Sequence, residues 1–301
     1  MKHIQVLMST YNGEKYIKEQ LESIIAQKGV KISLLVRDDG SSDRTAAILK
    51  RYSQEHENIS YYTGNNLGAS KSFFDLLKKA DHSADYFAFS DQDDYWLPDK
   101  LIRAVKMLRQ IKQQDIPLLY GSMVTYASED LQNGQAVSYR NRRKTGLGNA
   151  LVENIFMGCT EVFNRSLLEL VSSHQPKGEG WHDWWLYLTA SAFGKAVYDR
   201  NAYILYRQHG GNRLGMQKSW SQRWRNRFSH FQQLRHSLNR QAVQFLKAFD
   251  AKYPDKDLVW LLAHYRESPG LRLRLIAEKR IYRQQKMDDL TYRLLFLLGL
   301  L

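Results

Sequence analysis

Through the first 117 residues, short apolar runs alternate with stretches of helical period. No other feature of the chain limits its fold as much. Ile4-Gln5-Val6-Leu7-Met8, Ile32-Ser33-Leu34-Leu35-Val36, Ile59-Ser60-Tyr61-Tyr62 and Tyr86-Phe87-Ala88-Phe89 read as strands. Between the first two, Glu14 to Gln27 carries Ile17, Leu21, Ile24 and Ile25 at helical spacing. Ser41-Ser42-Asp43 caps a second helix through Ala46, Ala47, Ile48 and Leu49, and a third lies near Ser70–Lys79. Pro98 opens a fourth in its first turn, continuing to about Lys112. This order predicts parallel βαβ units with right-handed crossovers, an α/β fold with a mainly parallel central sheet.

The rhythm breaks after a further strand at Leu118–Ala127. Ser138 to Gly148 is a basic, polar loop with Arg140, Arg142, Arg143 and Lys144. Gly158–Phe163 reads as a strand, Trp181–Phe193 as a helix and Lys195–Tyr206 as two short strands. From Ser219 onward the pattern is helical, broken near Pro254 and at Ser268-Pro269-Gly270. The expected organisation is an α/β part over 1–215, with halves at about 1–117 and 118–215, and a helical region over 216–301.

Charge follows the same division. Lys218 to Leu301 holds 17 Lys and Arg against 7 Asp and Glu, while residues 1–217 hold 27 against 24. A basic C-terminal segment suits an anionic membrane surface or a nucleic acid, or else is a solvated helix face. Cys159 is the one cysteine, so no disulfide within the chain is available, which fits a reducing, cytoplasmic setting. Neither a secretory signal nor an apolar run of about 18 residues is present, so no transmembrane helix is expected.

In an open α/β sheet, ligands sit beyond the carboxyl ends of the strands. Three predicted strands end in polar clusters: Ser9-Thr10-Tyr11-Asn12-Gly13-Glu14, Arg37-Asp38-Asp39-Gly40-Ser41-Ser42-Asp43 and Ser90-Asp91-Gln92-Asp93-Asp94. Carboxylates repel naked phosphate but suit a hard cation that bridges to it, and Asp91 and Asp93 can share one octahedral ion. Their plain alternative is an acidic turn before a helix. Asp39 can accept the N3–H of a uracil or thymine ring, and Tyr11 can flank the base, although the same segment serves as a turn and helix cap. Neither a dinucleotide Gly-rich fingerprint nor a P-loop is present: Gly64-Asn65-Asn66-Leu67-Gly68 lacks the following Gly-Lys-Ser/Thr.

Taken in order and spacing, these clusters together with Asn66-Leu67-Gly68 and Tyr95-Trp96 resemble glycosyltransferase family 2 over about residues 3–210. The sub-pattern Phe89–Leu101, Gly158-Cys159-Thr160, His182-Asp183-Trp184-Trp185 and Tyr206-Arg207-Gln208-His209 is similar to bacterial rhamnosyltransferases that build cell-wall or capsular polysaccharides. The resemblance implies a GT-A nucleotide-sugar fold over 1–215, an inverting reaction and Mg²⁺ or Mn²⁺. It places Thr10, Tyr11, Glu14, Asp39, Asn66, Lys71 and Asp91 around the nucleotide. Asp91 and Asp93, with His209, would meet the metal, the third acid Asp94 leaving the direct ligands open. Asp183 would be the catalytic base, and Gly158, Cys159, His182, Trp184, Trp185 and Arg207 would face the acceptor or sugar. The implied donor is dTDP-β-L-rhamnose, or a UDP-hexose in the alternative, and the implied acceptor is a lipid-linked or polymeric saccharide.

Elementary chemistry agrees with these roles. Inversion is one in-line displacement at the sugar C1; it needs a base for the acceptor hydroxyl and stabilisation of the departing diphosphate. Aromatic neighbours would desolvate Asp183 and raise its pKa, and would offer flat faces to a sugar ring. The competing reading puts Trp184, Leu188 and Phe193 in a helix core with Asp183 at the helix start, and His182 is a competing base. Cys159 reads as a small wall residue, since inversion needs no covalent intermediate.

In the C-terminal region, Trp220, Trp224, Phe228 and Phe231 interleave with Arg223, Arg225 and Arg227, and a basic theme continues from Arg272 to Lys286. Such a helix can lie among lipid headgroups, peripheral on the inner face of the plasma membrane, and its apolar faces also suit a homodimer. The segment after Ser268 is expected to be removable without unfolding the rest. No nucleic-acid motif is present, so nucleic acid is not expected as a partner. The intact acids argue against a non-catalytic saccharide- or nucleotide-binding module.

Overall fold

A computed structural model describes residues 1–132, 134–137, 143–178, 180–210 and 237–301. Its first half follows the expected alternation: β1 (His3–Thr10), α1 (Ile17–Ile25), β2 (Lys31–Asp38), α2 (Thr45–Glu55), β3 (Ile59–Thr63), α3 (Ala69–Lys78) and β4 (Tyr86–Ser90). The strands lie in the order β3-β2-β1-β4 and all run parallel. Both faces are covered, which is why these strands read as near-continuous apolar runs. Ile4, Val6 and Met8 pack with Ile17, Leu21, Leu49 and Leu101 on one side; Leu7, Phe87 and Phe89 pack with Phe73 and Leu77 on the other. The chain leaves β1 toward β2, then returns to place β4 on β1's other edge. That reversal sets the switch point at the carboxyl ends of β1 and β4.

Beyond β4 come β5 (Tyr95–Trp96), α4 (Lys100–Arg109), β6 (Leu118–Ala127), β7 (Gly134–Val137) and α5 (Leu147–Ala150). A 3-10 turn (Gly158–Thr160), β8 (Val162–Asn164), α6 (Arg165–Ser173), α7 (His182–Phe193) and β9 (Lys195–Arg207) follow. They extend the sheet as β4-β8-β6-β9-β5, with β7 on β6; β8 runs antiparallel to both its neighbours and β9 parallel to β6. The stretch expected as two strands is one strand, β9, whose pairing with β6 shifts register near Met123. The strand expected at Gly158–Phe163 is a 3-10 turn followed by a three-residue strand. The helix α6, absent from the sequence reading, starts where Asn164 Oδ1 accepts Leu167 N–H at 3.2 Å.

The C-terminal region is helical as expected: α8 (Ser237–Ala248), α9 (Lys256–His264), α10 (Pro269–Ala277) and α11 (Lys286–Leu297). Ser268-Pro269, read as a break, is also a helix start: Ser268 Oγ accepts Leu271 N–H at 3.2 Å and Pro269 takes the first turn. Arg140, Arg142, Trp220, Arg223, Trp224, Arg225, Arg227, Phe228 and Phe231 lie outside the described residues. These helices share a core with the second half of the sheet. Phe245 meets Trp185 edge-on at 5.3 Å between ring centroids, and Phe249 meets Phe193 at 4.9 Å. A buried polar network seals the join. Gln284 N–H donates to Glu153 at 2.7 Å, and Gln284 Nε2 to Asn149 Oδ1 at 3.2 Å. The Tyr187 hydroxyl donates to Asn149 Oδ1 at 2.8 Å, while Arg283 pairs with Glu153 at 3.3 Å. Removing everything after Ser268 would therefore leave the buried Glu153 without Arg283 and Gln284, and Asn149 without Gln284, so the segment is not a detachable tail.

Candidate active site

At the switch point, the loop after β1 and the loop after β4 are tied together. Gln92 Oε1 accepts the Thr10 hydroxyl at 2.5 Å and the Tyr11 N–H at 2.8 Å, and Gln92 Nε2 donates to Tyr11 O at 3.1 Å. Asn12, with φ of 49°, turns the chain onto the start of α2, where its Oδ1 accepts Ser42 N–H at 2.8 Å. Glu14 accepts Arg44 N–H at 2.9 Å and Asp43 accepts Thr45 N–H at 2.9 Å, supplying acceptors to the first turn of α2. Tyr11 stands exposed at this rim.

Asp39 is buried and engaged. Its carboxylate pairs with Arg37 and accepts the N–H groups of Leu67 at 2.8 Å and Gly68 at 2.9 Å. It does not stand open to a base, as the sequence reading had it; it fastens the 64–68 loop beside the crevice, with Asn66 exposed in that loop and Lys71 exposed one turn beyond. Gly68 has φ of 77°, a left-handed value that lets its N–H turn toward Asp39.

The acidic segment after β4 divides by direction. Asp93 Oδ2 accepts from His209 Nε2 at 2.8 Å, and the His209 ring stacks on Tyr16 at 4.8 Å. Asp94 points inward. It is buried beside the Cys159 thiol, and burial, then the charges of Asp93 and Asp91, push its pKa well up. One ligand atom each from Asp91, Asp94 and Cys159 lie within 4.8 Å of one another. Lys100 is buried beneath, its Nζ 3.5 Å from the Trp96 ring centroid, and burial lowers its pKa to about 7. Carboxylate oxygens at this strand end suit a hard divalent cation: Asp91 and Asp94 meet beside Cys159, while Asp93 is turned to His209. The Cys159 thiol, kept protonated by burial, is a poor partner for such an ion. Sequence reading missed Lys100 altogether, because its alternative as a solvated helix residue is the usual one.

Gly158-Cys159-Thr160 joins this segment to the expected base. Cys159 faces Asp94, while Gly158 packs on the next element: a β-carbon there would come 2.8 Å from His182 Nε2 and 3.6 Å from Asp183 Cβ. Only glycine allows that approach. Asp183 opens α7 and accepts Trp184 N–H at 2.7 Å. Burial raises its pKa to about 6, against the opposing pull of the Trp184 N–H, the Asn154 side chain and the Gly158 N–H. His182 is stacked on Phe73 at 4.2 Å and edge-on to Phe89 at 5.2 Å. Glu161, one turn past Gly158, is fully buried with no hydrogen-bond partner for either carboxyl oxygen among the described residues. Burial, and then the Asp183 charge, push its pKa well up. Nothing in the sequence pattern singled it out.

Three expected acceptor contacts are corrected. Trp184 and Trp185 are 6% and 1% exposed, and their indole N–H groups donate to Ala150 O and to His174 O. They are core, so neither face is open to a sugar; Trp181, 48% exposed, is the aromatic on the surface at this helix start. Arg207 is buried too: it donates to Asp93 O at 2.9 Å and to Glu129 O, and pairs with Glu19. It braces the acidic segment and walls one side of a cavity of about 620 Å³ lined also by Lys15, Tyr16, Glu129 and Asp130.

Parallel strands meeting at an acid-rich switch point, with a carboxylate of raised pKa one short turn away, define a transferase of the GT-A type. Solved structures agree on the fold. S. aureus TarS 1–349 in complex with UDP-GlcNAc matches over 91% of this chain and 76% of its own, at 21% identity and a TM-score of 0.59. Mannosyltransferase PcManGT from Pyrobaculum calidifontis, in complex with GDP-Man and Mn²⁺, matches over 90% and 71%, at 19% identity and a TM-score of 0.54. The family model for glycosyl transferase family 2 matches residues 5–170, more than half the chain, and the chain belongs to that family. It is a glycosyltransferase. Among curated relatives, the dTDP-rhamnosyl transferase RfbG of Shigella flexneri is 32% identical over 237 residues, 72% of this chain and 77% of that protein. The Escherichia coli UDP-Glc:alpha-D-GlcNAc-diphosphoundecaprenol beta-1,3-glucosyltransferase WfgD is 28% identical over 184 residues, 60% and 68%.

Proposed function

We propose that the protein is an inverting, divalent-cation-dependent rhamnosyltransferase. It moves L-rhamnose from dTDP-β-L-rhamnose to a lipid-linked or polymeric saccharide in cell-wall or capsular polysaccharide synthesis. The observation that carries the reaction type is Asp183: a carboxylate raised to about 6, held at a helix start by the glycine turn that also borders Asp91 and Asp94. At neutral pH it is ionised yet basic enough to take a proton. Asp183 accepts the proton of the acceptor hydroxyl; that oxygen forms a bond to C1 as the C1–O bond to the diphosphate breaks, inverting C1 and releasing the nucleoside diphosphate. Asp91 and Asp93, with His209, would hold Mg²⁺ or Mn²⁺, which when bound supplies positive charge to the diphosphate. Tyr11, exposed at the rim, borders the nucleotide; Thr10, expected there too, is buried with its hydroxyl on Gln92, and the loop fastened by Asp39 shapes the base pocket.

The rhamnose donor rests on the likeness to the Shigella protein. A UDP-hexose is the second reading, supported by the likeness to the E. coli glucosyltransferase. A sugar-nucleotide panel decides between them, following nucleoside diphosphate release with Mn²⁺ and with EDTA. Turnover of dTDP-rhamnose is expected; selective turnover of a UDP-hexose would replace it.

A further inference from the structure

The helix α11 is turned inside out relative to an ordinary surface helix. Asp289 and Arg293 face the protein. Asp289 Oδ1 accepts Arg283 N–H at 2.9 Å, and Arg293 donates to Ile281 O at 2.7 Å and to Ile276 O. Phe296 is buried on the same side, edge-on to Tyr265 at 5.2 Å. Its apolar residues face outward. Met287, Leu290, Leu294, Leu297 and, just past the helix, Leu298 are 40 to 70% exposed. At about 100° per residue these five fall within one arc of about 100°, in a stripe about 17 Å long. Scattered exposed leucines need no explanation, but a continuous stripe of them marks a surface that something covers.

The rim indicates what covers it. Lys286 is exposed at one end of the stripe. At the other, Arg266 donates to Gly299 O at 3.0 Å and the Arg272 guanidinium lies against Gly299. Arg274 and Lys279 are exposed on and just after α10, which packs beside α11. Over residues 265–301 the count is 8 Lys and Arg against 4 Asp and Glu. Of those acids, Asp289 pairs with Arg293 and Glu278 with Arg280, leaving Asp288, half-buried on α11, and Glu267, the well-exposed carboxylate at the far end. A second copy fits the stripe less well: five side chains on one helix fall far short of the about 20–30 residues a side of a standard interface. Nucleic acid would want aromatic rings to stack on, and this stripe has none. No described helix is long and apolar enough to cross a membrane.

We propose that α11 is a docking face for an anionic lipid bilayer. The helix lies in the plane of the headgroups, with Met287, Leu290, Leu294, Leu297 and Leu298 entering the acyl boundary. Lys286, Arg272 and Arg274 meet lipid phosphates. The geometry stands whatever the donor sugar is, and its test does not use transfer activity.

The test is co-sedimentation of the full-length protein with vesicles of phosphatidylcholine alone or mixed with phosphatidylglycerol, at low salt. Wild type is expected to partition onto the mixed vesicles and weakly onto the neutral ones. The double variant Leu290→Gln, Leu294→Gln removes two solvent-facing leucines while keeping good helix formers, and should lower partitioning about tenfold or more with circular dichroism unchanged. Lys286→Glu should lower it only on the mixed vesicles, and Leu294→Trp should raise it. Equal partitioning of wild type and the double variant would overturn the proposal, as would no partitioning by wild type. So would light scattering that shows a wild-type dimer broken to monomer by the same double variant, which would give the face to a second copy.

Discussion

The two halves of the sheet handle their polar groups in opposite ways. Around β1, β2 and the 64–68 loop, the motif side chains are satisfied by one another and by backbone: Thr10 by Gln92, Asn12 by Ser42, Glu14 by Arg44, Asp39 by Arg37 and two N–H groups. Around the Gly158 turn, titratable groups are buried with few partners, and Asp183, Asp94, Glu161 and Lys100 all titrate away from their ordinary ranges. The first half spends its polar residues on a rigid cradle. The second leaves them under-solvated, which is how a fold tunes proton affinity. Substitutions around the Gly158 turn and the acidic segment beside it should therefore change rate, and substitutions around β1, β2 and the 64–68 loop should change stability and binding.

The hardest test of that contrast is Asp183→Asn. It keeps size and hydrogen bonding but cannot take a proton, so kcat should fall about 10²–10⁴-fold while donor affinity by calorimetry barely moves. In wild type, kcat/KM should fall tenfold per pH unit below about 6, because the base must be ionised. If His182→Ala rather than Asp183→Asn lost the chemical step in single-turnover assays, His182 would be the base. Next comes Asp93→Ala, which removes an oxygen beside His209 and should cost about a hundredfold or more in turnover. Full activity of wild type in EDTA would end the metal reading.

Asp39→Ala should behave differently. It leaves the buried Arg37 with Asp75 as its remaining carboxylate, beside Ser72 Oγ and Asn65 O, so unfolding in urea should show a loss of about 3 kcal/mol, and uridine and thymidine diphosphates should both bind more weakly. Unchanged stability would mean that the first half is less pre-built than its hydrogen bonds indicate. The smallest effect belongs to Glu161→Gln. Burial and the Asp183 charge both favour the neutral carboxyl, so an uncharged replacement of the same shape should leave both rate and pH profile nearly unchanged. A large rate loss would show that Glu161 works as a charge.

Much of this was readable before any coordinates. Local period placed β1 to β4 and their helices, and the acids at strand ends pointed to the crevice. The misses share a cause: each depends on a partner distant in sequence. The two-residue β5 exists because Tyr95 and Trp96 pair with Leu205 and Ile204. Trp184 and Trp185 look like sugar platforms until Ala150 O and His174 O claim their N–H groups. Asp39 looks like a base contact until the 64–68 loop closes over it. Glu161 carries no local signature, since burial is a property of the assembled fold.

The network joining Gln284 and Arg283 to Glu153 and Asn149 spans about 130 residues of chain. During synthesis, β1 to β4 can pair as soon as they emerge. The support beneath α7 cannot close until residues 283 and 284 have left the ribosome, on the order of ten seconds after Glu153 at about 5–20 residues per second. In that interval the cradle for the nucleotide can be folded while the helix that carries Asp183 still lacks its brace. The brace behind the helix that carries Asp183 is therefore the last part of this network to be made.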